Sequence, residues 1–251
     1  MNNSTISIII PCYNEENIIQ KNFECILSQS ILPEEVIFVD NNSTDSSLRV
    51  AESYKDKFSK KGIEFNILIE KDQSQKQVIP RMIAFEKAKG ELVGMIDVDT
   101  QISKDWVKTA KRCFAENKNL CSLMGPFDFW GIDIFSRIGI YIFFVLYYFT
   151  KYFYLMWGCN GVLKKEVYNR CSGLNDYWEM HQDLKLAYIY DDNFLSEKLK
   201  LFGDVKFCWQ LKAKGEARNQ DSSSNNRKID QLLSFFKIKN YVFKKYKNKL
   251  K

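Results

Sequence analysis

Four short apolar runs, each closing on a polar cluster, punctuate the first hundred residues. Ile6–Ile10 leads into Pro11-Cys12-Tyr13-Asn14-Glu15, Val36–Val39 ends on Asp40, Phe65–Ile69 follows, and Leu92–Ile96 runs into Asp97-Val98-Asp99. Between them the spacing predicts a helix reaching about Gln29, a second from the polar loop Asn41–Asp45 to roughly Phe58, and a third over Val78–Lys89. The asparagines, serine, threonine and aspartate of that loop are N-cap candidates. Strand and helix signals alternating in this way define an α/β domain with a mostly parallel sheet flanked by helices.

The second half is less regular. Ser103-Lys104-Asp105-Trp106 opens an amphipathic helix with Ser103 as its expected cap, and Cys121–Phe129 has the pattern of one further strand. The segment 132–157 carries only Asp133, Arg137 and Lys151 as charges. Strand and helix patterns resume at Gly158–Leu163, Asp191–Leu201 and Val205–Trp209. A serine- and asparagine-rich linker, 220–226, precedes a basic helical tail over 228–251. These boundaries predict a domain over 1–217, with halves 1–100 and 101–217, then linker and tail over 218–251.

Ligands of open α/β sheets bind beyond the carboxyl ends of the strands. Asp40, Asp97 and the loop Pro11–Asn14 all stand at such ends, so three polar loops are expected to meet at one edge. In Asp97-Val98-Asp99 the two carboxylates are two residues apart, and on a strand they point the same way. Together they suit a hard divalent cation, which takes oxygen ligands and is commonly shared with a substrate phosphate. A turn-capping aspartate pair is the alternative.

Composition narrows the classes. Apolar residues form 45% of the 251, enough for a substantial core. Seven cysteines without any C-x-x-C pair suit core thiols in a reducing, cytoplasmic compartment. No basic stretch followed by an apolar leader opens the sequence, so no secretory peptide is indicated. The net charge of +6 resides in the tail: seven lysines and no acid lie between Lys237 and Lys251, leaving the remainder at −1. That distribution, with no reader motif, argues against nucleic acid as a partner. No G-x-G-x-x-G follows the first strand, which argues against a dinucleotide-dependent dehydrogenase.

In this order the motifs resemble the family 2 glycosyltransferases, nucleotide-sugar enzymes of the GT-A fold. Ser7–Glu16 is similar to the family's opening strand and loop, Val39–Asp45 to its V-D-[DN]-x-S-x-D turn, and Lys89-Gly90-Glu91 through Asp99 to its metal segment. Trp157–Lys165 resembles the acceptor-side strand, Ser172–Asp176 a degenerate G-G-F-D-E, and Tyr190–Ser196 the E-D-x-x-L-S element with Asp191 in place of glutamate. The likeness covers about residues 4–210. It implies that Pro11, Tyr13, Asn14, Glu15, Asp40, Asn42 and Asp97 surround the nucleotide, with Asp40 near the base. It further implies Arg81 at the diphosphate, although the segment here reads Pro80-Arg81-Met82. Asp99, with Asp97, would hold Mg²⁺ or Mn²⁺, and Asp192, beside Asp191, would be the catalytic base. Helix capping by two acids is the alternative for that pair. The partners implied are a nucleotide-sugar donor, by family habit UDP-linked, and a glycan or lipid-linked acceptor. His181, the only histidine, stands outside this set.

The uncharged run Ile138–Thr150 would extend about 20 Å as a helix, short of the roughly 30 Å hydrocarbon core of a bilayer. It reads either as a core or dimer helix or as a helix lying in a membrane interface. The lysine-rich tail favours the second and predicts peripheral contact with the cytoplasmic face of a membrane. A non-catalytic nucleotide-sugar or membrane-surface binding protein on the same fold is the competing functional class.

Overall fold

The computed structural model describes residues 4–71, 78–131, 133–150, 158–216 and 224–246. In chain order the elements are β1 (Ile6–Cys12), α1 (Ile19–Leu27), β2 (Glu35–Asp40), α2 (Ser47–Ser53), α3 (Lys55–Lys60), β3 (Glu64–Ile69), α4 (Val78–Lys87), β4 (Leu92–Met95), β5 (Gln101–Ile102) and α5 (Trp106–Glu116). There follow β6 (Leu120–Met124), β7 (Phe127–Trp130), α6 (Ile134–Thr150), β8 (Gly161–Lys164), α7 (Lys165–Arg170), α8 (Tyr177–Asp183), α9 (Asp191–Leu199), β9 (Asp204–Phe207), β10 (Ala213–Glu216) and α10 (Ser224–Tyr246).

Seven strands form the main sheet in the order β3-β2-β1-β4-β8-β6-β9. β1, β2, β3 and β4 pair in parallel, while β8 runs antiparallel to both neighbours. The unbroken apolar runs of β1 and β2 follow from burial on both faces. Ile8, Ile10, Val36 and Phe38 pack with Phe23 and Trp106 on one face, whereas Ile9, Ile37 and Val39 pack with Phe85, Phe194 and Leu195 on the other.

Four expectations are revised. Cys121–Phe129 is two strands, not one: β6 belongs to the main sheet, and β7 joins a second sheet in the order β5-β10-β7. The break falls at Gly125-Pro126, where proline offers no N–H to a ladder and a Cβ on Gly125 would lie 1.8 Å from the Leu211 carbonyl oxygen. The helix expected up to Phe58 is two short helices meeting at Tyr54. Its N-cap position is Ser46, outside the candidate loop; of the candidates, Asp45 supports the start, its carboxylate accepting the Ser47 N–H at 2.9 Å. Ser103 does not cap α5 through its side chain. Its carbonyl accepts the Trp106 N–H at 2.9 Å, and the helix starts after Asp105.

α10 lies along α9 with Ile238, Val242 and Tyr246 buried in the same core as Phe194. Lys245 reaches Glu179 at 2.6 Å and Asp176 at 3.5 Å. The basic residues Lys247, Lys249 and Lys251 fall outside the described residues, as do 220–223 of the expected linker and 151–157 of the apolar segment; the linker's last three residues, 224–226, are instead the first turn of α10. α6 spans 17 residues, about 25 Å, and among the described residues no helix is long and apolar enough to cross a membrane.

Candidate active site

The strand order β2-β1-β4-β8 fixes which loops can meet. β1, β2 and β4 end at one edge. Antiparallel β8 begins there, with Met95 opposite Gly161, so Gly158-Cys159-Asn160, from the C-terminal half of the chain, enters at the same edge.

The loops after β1 and β2 are laced together. Asn14, in the left-handed region at φ 53°, donates its N–H to Ser43 Oγ at 3.0 Å and accepts the Thr44 N–H on Oδ1 at 2.8 Å. The Glu15 N–H donates to Ser47 Oγ at 2.8 Å, the Glu16 N–H to Asp45 at 3.1 Å, and the Ser46 N–H to Glu16 at 2.7 Å. Asn42 also takes a positive φ of 58° and is exposed. Tyr13 stands 48% exposed beside them. Pro11 lies within β1 opposite Val39, and Glu15 is half-buried. Asp40 is buried. One carboxylate oxygen accepts the Ser43 N–H at 3.1 Å, and the other has no hydrogen-bond partner among the described residues. A buried acceptor without a partner carries a desolvation cost that a donor on a ligand would remove.

Asp97 and Asp99 occupy a turn just beyond β4, closed by the Thr100 N–H on the Asp97 carbonyl at 3.0 Å. The strand-alternation argument for their common direction therefore does not apply; the turn sets their directions. Asn22 braces this turn from α1, its Nδ2 donating to the Asp97 and Thr100 carbonyls at 3.2 and 2.6 Å.

Arg81, on α4, is buried. Its Nη2 donates to Asp97 at 2.9 Å and its Nη1 to Asp191 at 2.5 Å. Burial opposes its charge, yet Asp191 and then Asp97 outweigh that cost and hold the guanidinium protonated. Asp191 and Asp192 open α9. Asp191 is buried on the arginine, whereas Asp192 accepts the Asn193 N–H at 2.7 Å and the Gly158 N–H at 3.4 Å. Burial first, and the Asp191 carboxylate second, push Asp192 up to about 6, against the opposing pull of Arg81. Burial likewise raises the Cys159 thiol well above its usual range, with Asp97, Asp192 and Asp99 adding to the shift and Arg81 opposing it. All four charged groups act electrostatically on this sulfur, which stays a neutral thiol.

Three residues of this arrangement lie outside the predicted set: Gly158, Cys159 and Asn160. Asn160 is a buried hub that accepts the Trp106 indole N–H at 2.8 Å and donates to the Pro126 and Leu211 carbonyls at 3.1 and 2.9 Å. His181 contacts the Tyr188 carbonyl at 3.2 Å and the rings of Tyr177 and Trp178, and none of the site carboxylates. A separate open groove of about 810 Å³ lies between α1, Tyr54 and Trp130 and includes none of these carboxylates.

Among the described residues no three histidine, cysteine or acidic side chains gather into a ready-made metal cluster. The donor set still fits a hard cation of the Mg²⁺ or Mn²⁺ kind. Asp97 and Asp99 offer oxygen donors at the strand edge, and such ions need only one or two carboxylates when substrate phosphates complete the shell.

The mixed sheet flanked by helices is that of a GT-A fold. A mannosyltransferase from Pyrobaculum calidifontis, solved with GDP-Man and Mn²⁺, superposes with a TM-score of 0.71 at 17% identity, covering 93% of this chain and 63% of that one. S. aureus TarS 1-349, solved with UDP-GlcNAc, gives a TM-score of 0.61 at 17% identity over 88% of this chain and 61% of that one. The description "Glycosyl transferase family 2" matches residues 7–178, and the chain belongs to that family. A poly(ribitol-phosphate) beta-glucosyltransferase of Bacillus spizizenii is 37% identical over 103 residues, 40% of this chain. The chain spans only 16% of the length of that relative.

Proposed function

We propose that this chain transfers a sugar from a nucleoside-diphosphate donor to an acceptor hydroxyl, inverting the anomeric centre. The observation that carries the proposal is Asp192, raised to about 6 and next in the chain to Asp191, which Arg81 ties to Asp97. Its carboxylate accepts the proton of the acceptor hydroxyl as that oxygen bonds to the anomeric carbon. The bond from that carbon to the diphosphate oxygen breaks on the opposite face, and the nucleoside diphosphate leaves. General-base assistance of this kind contributes about 10²–10⁴ in rate. A divalent cation on Asp99 and Asp97, when bound, neutralises charge developing on the leaving diphosphate. Asp40 receives a donor group of the base, and Tyr13, Asn14, Glu15 and Asn42 line the nucleotide with Pro11.

UDP-GlcNAc and GDP-Man in the structural neighbours support a nucleotide-sugar donor. The poly(ribitol-phosphate) acceptor in the name of the Bacillus relative supports a cell-surface or lipid-linked glycan precursor as acceptor. Ile134, Phe135, Ile138, Tyr141 and Ile142 are exposed on α6, Phe135 by 80%. They support contact with the cytoplasmic face of a membrane, where such an acceptor would be presented; Lys237 and Lys244 are exposed on α10, which packs on the other face of the sheet. The test is release of nucleoside diphosphate from a panel of UDP- and GDP-sugars with Mn²⁺, Mg²⁺ or EDTA. Metal-dependent release from one donor supports transfer; binding without release from any donor would identify a binding protein instead.

A further inference from the structure

We infer that Arg81 is a positioning residue that ties the Asp97–Asp99 turn to the helix bearing Asp192, and that Gly158 is the space in which it does so. The inference rests on the proposed transfer reaction and departs from the diphosphate contact that the family resemblance implies for this arginine.

Both ends of the guanidinium are engaged inside the protein, on Asp191 at 2.5 Å and Asp97 at 2.9 Å, and the side chain is only 3% exposed. Nε is buried with no partner among the described residues, so it is not turned to a solvent-filled site. The two carboxylates come from opposite halves of the domain: Asp97 follows β4, and Asp191 is the first residue of α9. A planar fork can hold two carboxylates in fixed relative directions, which a lysine ammonium cannot.

Gly158 closes the arrangement. A Cβ there would lie 2.6 Å from Nη2 and 2.9 Å from both Cζ and Nη1, so any side chain would strike the guanidinium. The N–H of the same glycine donates to Asp192 at 3.4 Å. One residue thus covers the arginine and touches the base. Moving the guanidinium shifts Asp191, and with it the first turn of α9 that carries Asp192. Misplacement of a reacting group by about 1 Å can lower a rate 10²-fold.

The experiment uses the full chain with the donor and acceptor that support transfer, and measures kcat, donor KM and thermal melting for Arg81→Lys, Arg81→Gln, Gly158→Ala and Asp191→Asn. Asp192→Asn is the control. The positioning role predicts that Arg81→Lys and Arg81→Gln lower kcat about 100-fold while donor KM stays within about threefold, and that the lysine does not rescue. Gly158→Ala keeps every charge and still lowers kcat about tenfold or more. Asp191→Asn keeps the side-chain volume and remains the informative variant if the arginine substitutions fail to fold; it too lowers kcat without raising donor KM. A donor KM raised tenfold or more with kcat preserved would mean a diphosphate contact and would overturn the inference, as would wild-type kcat in Gly158→Ala or Arg81→Lys. If Asp192→Asn itself turns over normally, the base assignment fails. If Asp192→Asn is inactive while the positioning variants keep kcat, only the positioning role falls.

Discussion

The two sides of the site are held in different ways. On the donor side, the loops after β1 and β2 are joined by many short bonds, among them Asn14 to Ser43, Thr44 to Asn14, Glu15 to Ser47 and Ser46 to Glu16. No single one of them carries the loop geometry. On the base side, Asp192 is positioned by the backbone N–H groups of Asn193 and Gly158 and by a helix start anchored to a single buried arginine. Such a buried pair tolerates loss of a partner poorly, because the remaining charge is left uncompensated. The contrast teaches that the proposed nucleotide site is redundantly built, whereas the proposed base rests on few contacts.

Substitutions should therefore separate the two sides. The largest effect is expected from Asp99→Ala, which removes the proposed metal ligand that would serve both. Loss of metal-assisted charge stabilisation is worth several kcal/mol, so kcat/KM should fall on the order of 10³-fold and donor affinity with it, as read by turnover and titration calorimetry. Asp40→Ala should act on the donor side alone. A hydrogen bond to a charged group contributes about 1.5–3 kcal/mol, so donor Kd should rise about tenfold or more with kcat on saturating donor little changed. A pH series sharpens the base side. With Asp192 near 6, kcat/KM should drop about tenfold per pH unit below that value and level off above it. The same shift has a stability consequence. Because the folded value lies above the unfolded one, the contribution of Asp192 to stability is complete at low pH and is lost as pH rises through about 6. Asp192→Asn should remove that dependence in thermal melts. The smallest effect is expected at α6, where Phe135→Ser should weaken binding to anionic vesicles a few-fold, in line with the apolar area it removes from contact, without altering turnover on a soluble acceptor.

The strands and loops of the proposed donor side were legible in the sequence because their information is local. A β-branched run followed by a polar turn identifies β1, β2 and β4 and their carboxyl ends, and the parallel order brings those ends to one edge. The base side was only half legible. The acidic pair at the start of α9 was visible, but which acid is committed to structure depends on Arg81, 110 residues away in the chain. Gly158 and Asn160 lie in the segment that resembles the acceptor-side strand, but their individual roles were not legible, since these arise from close approach to Arg81 and from the junction between the two sheets. The break at Gly125-Pro126 could have been found from the proline alone. α10 read as a tail because lysines dominate its composition, although Ile238, Val242 and Tyr246 supply a buried stripe at helical spacing.

The central claim is that Asp192 acts as the base while the donor site stands independently of it. The direct measurement compares wild type with Asp192→Asn for donor Kd and single-turnover transfer in the same preparation. The account predicts that Kd stays within about threefold while transfer falls 10²-fold or more. Transfer at the wild-type rate by Asp192→Asn would contradict it.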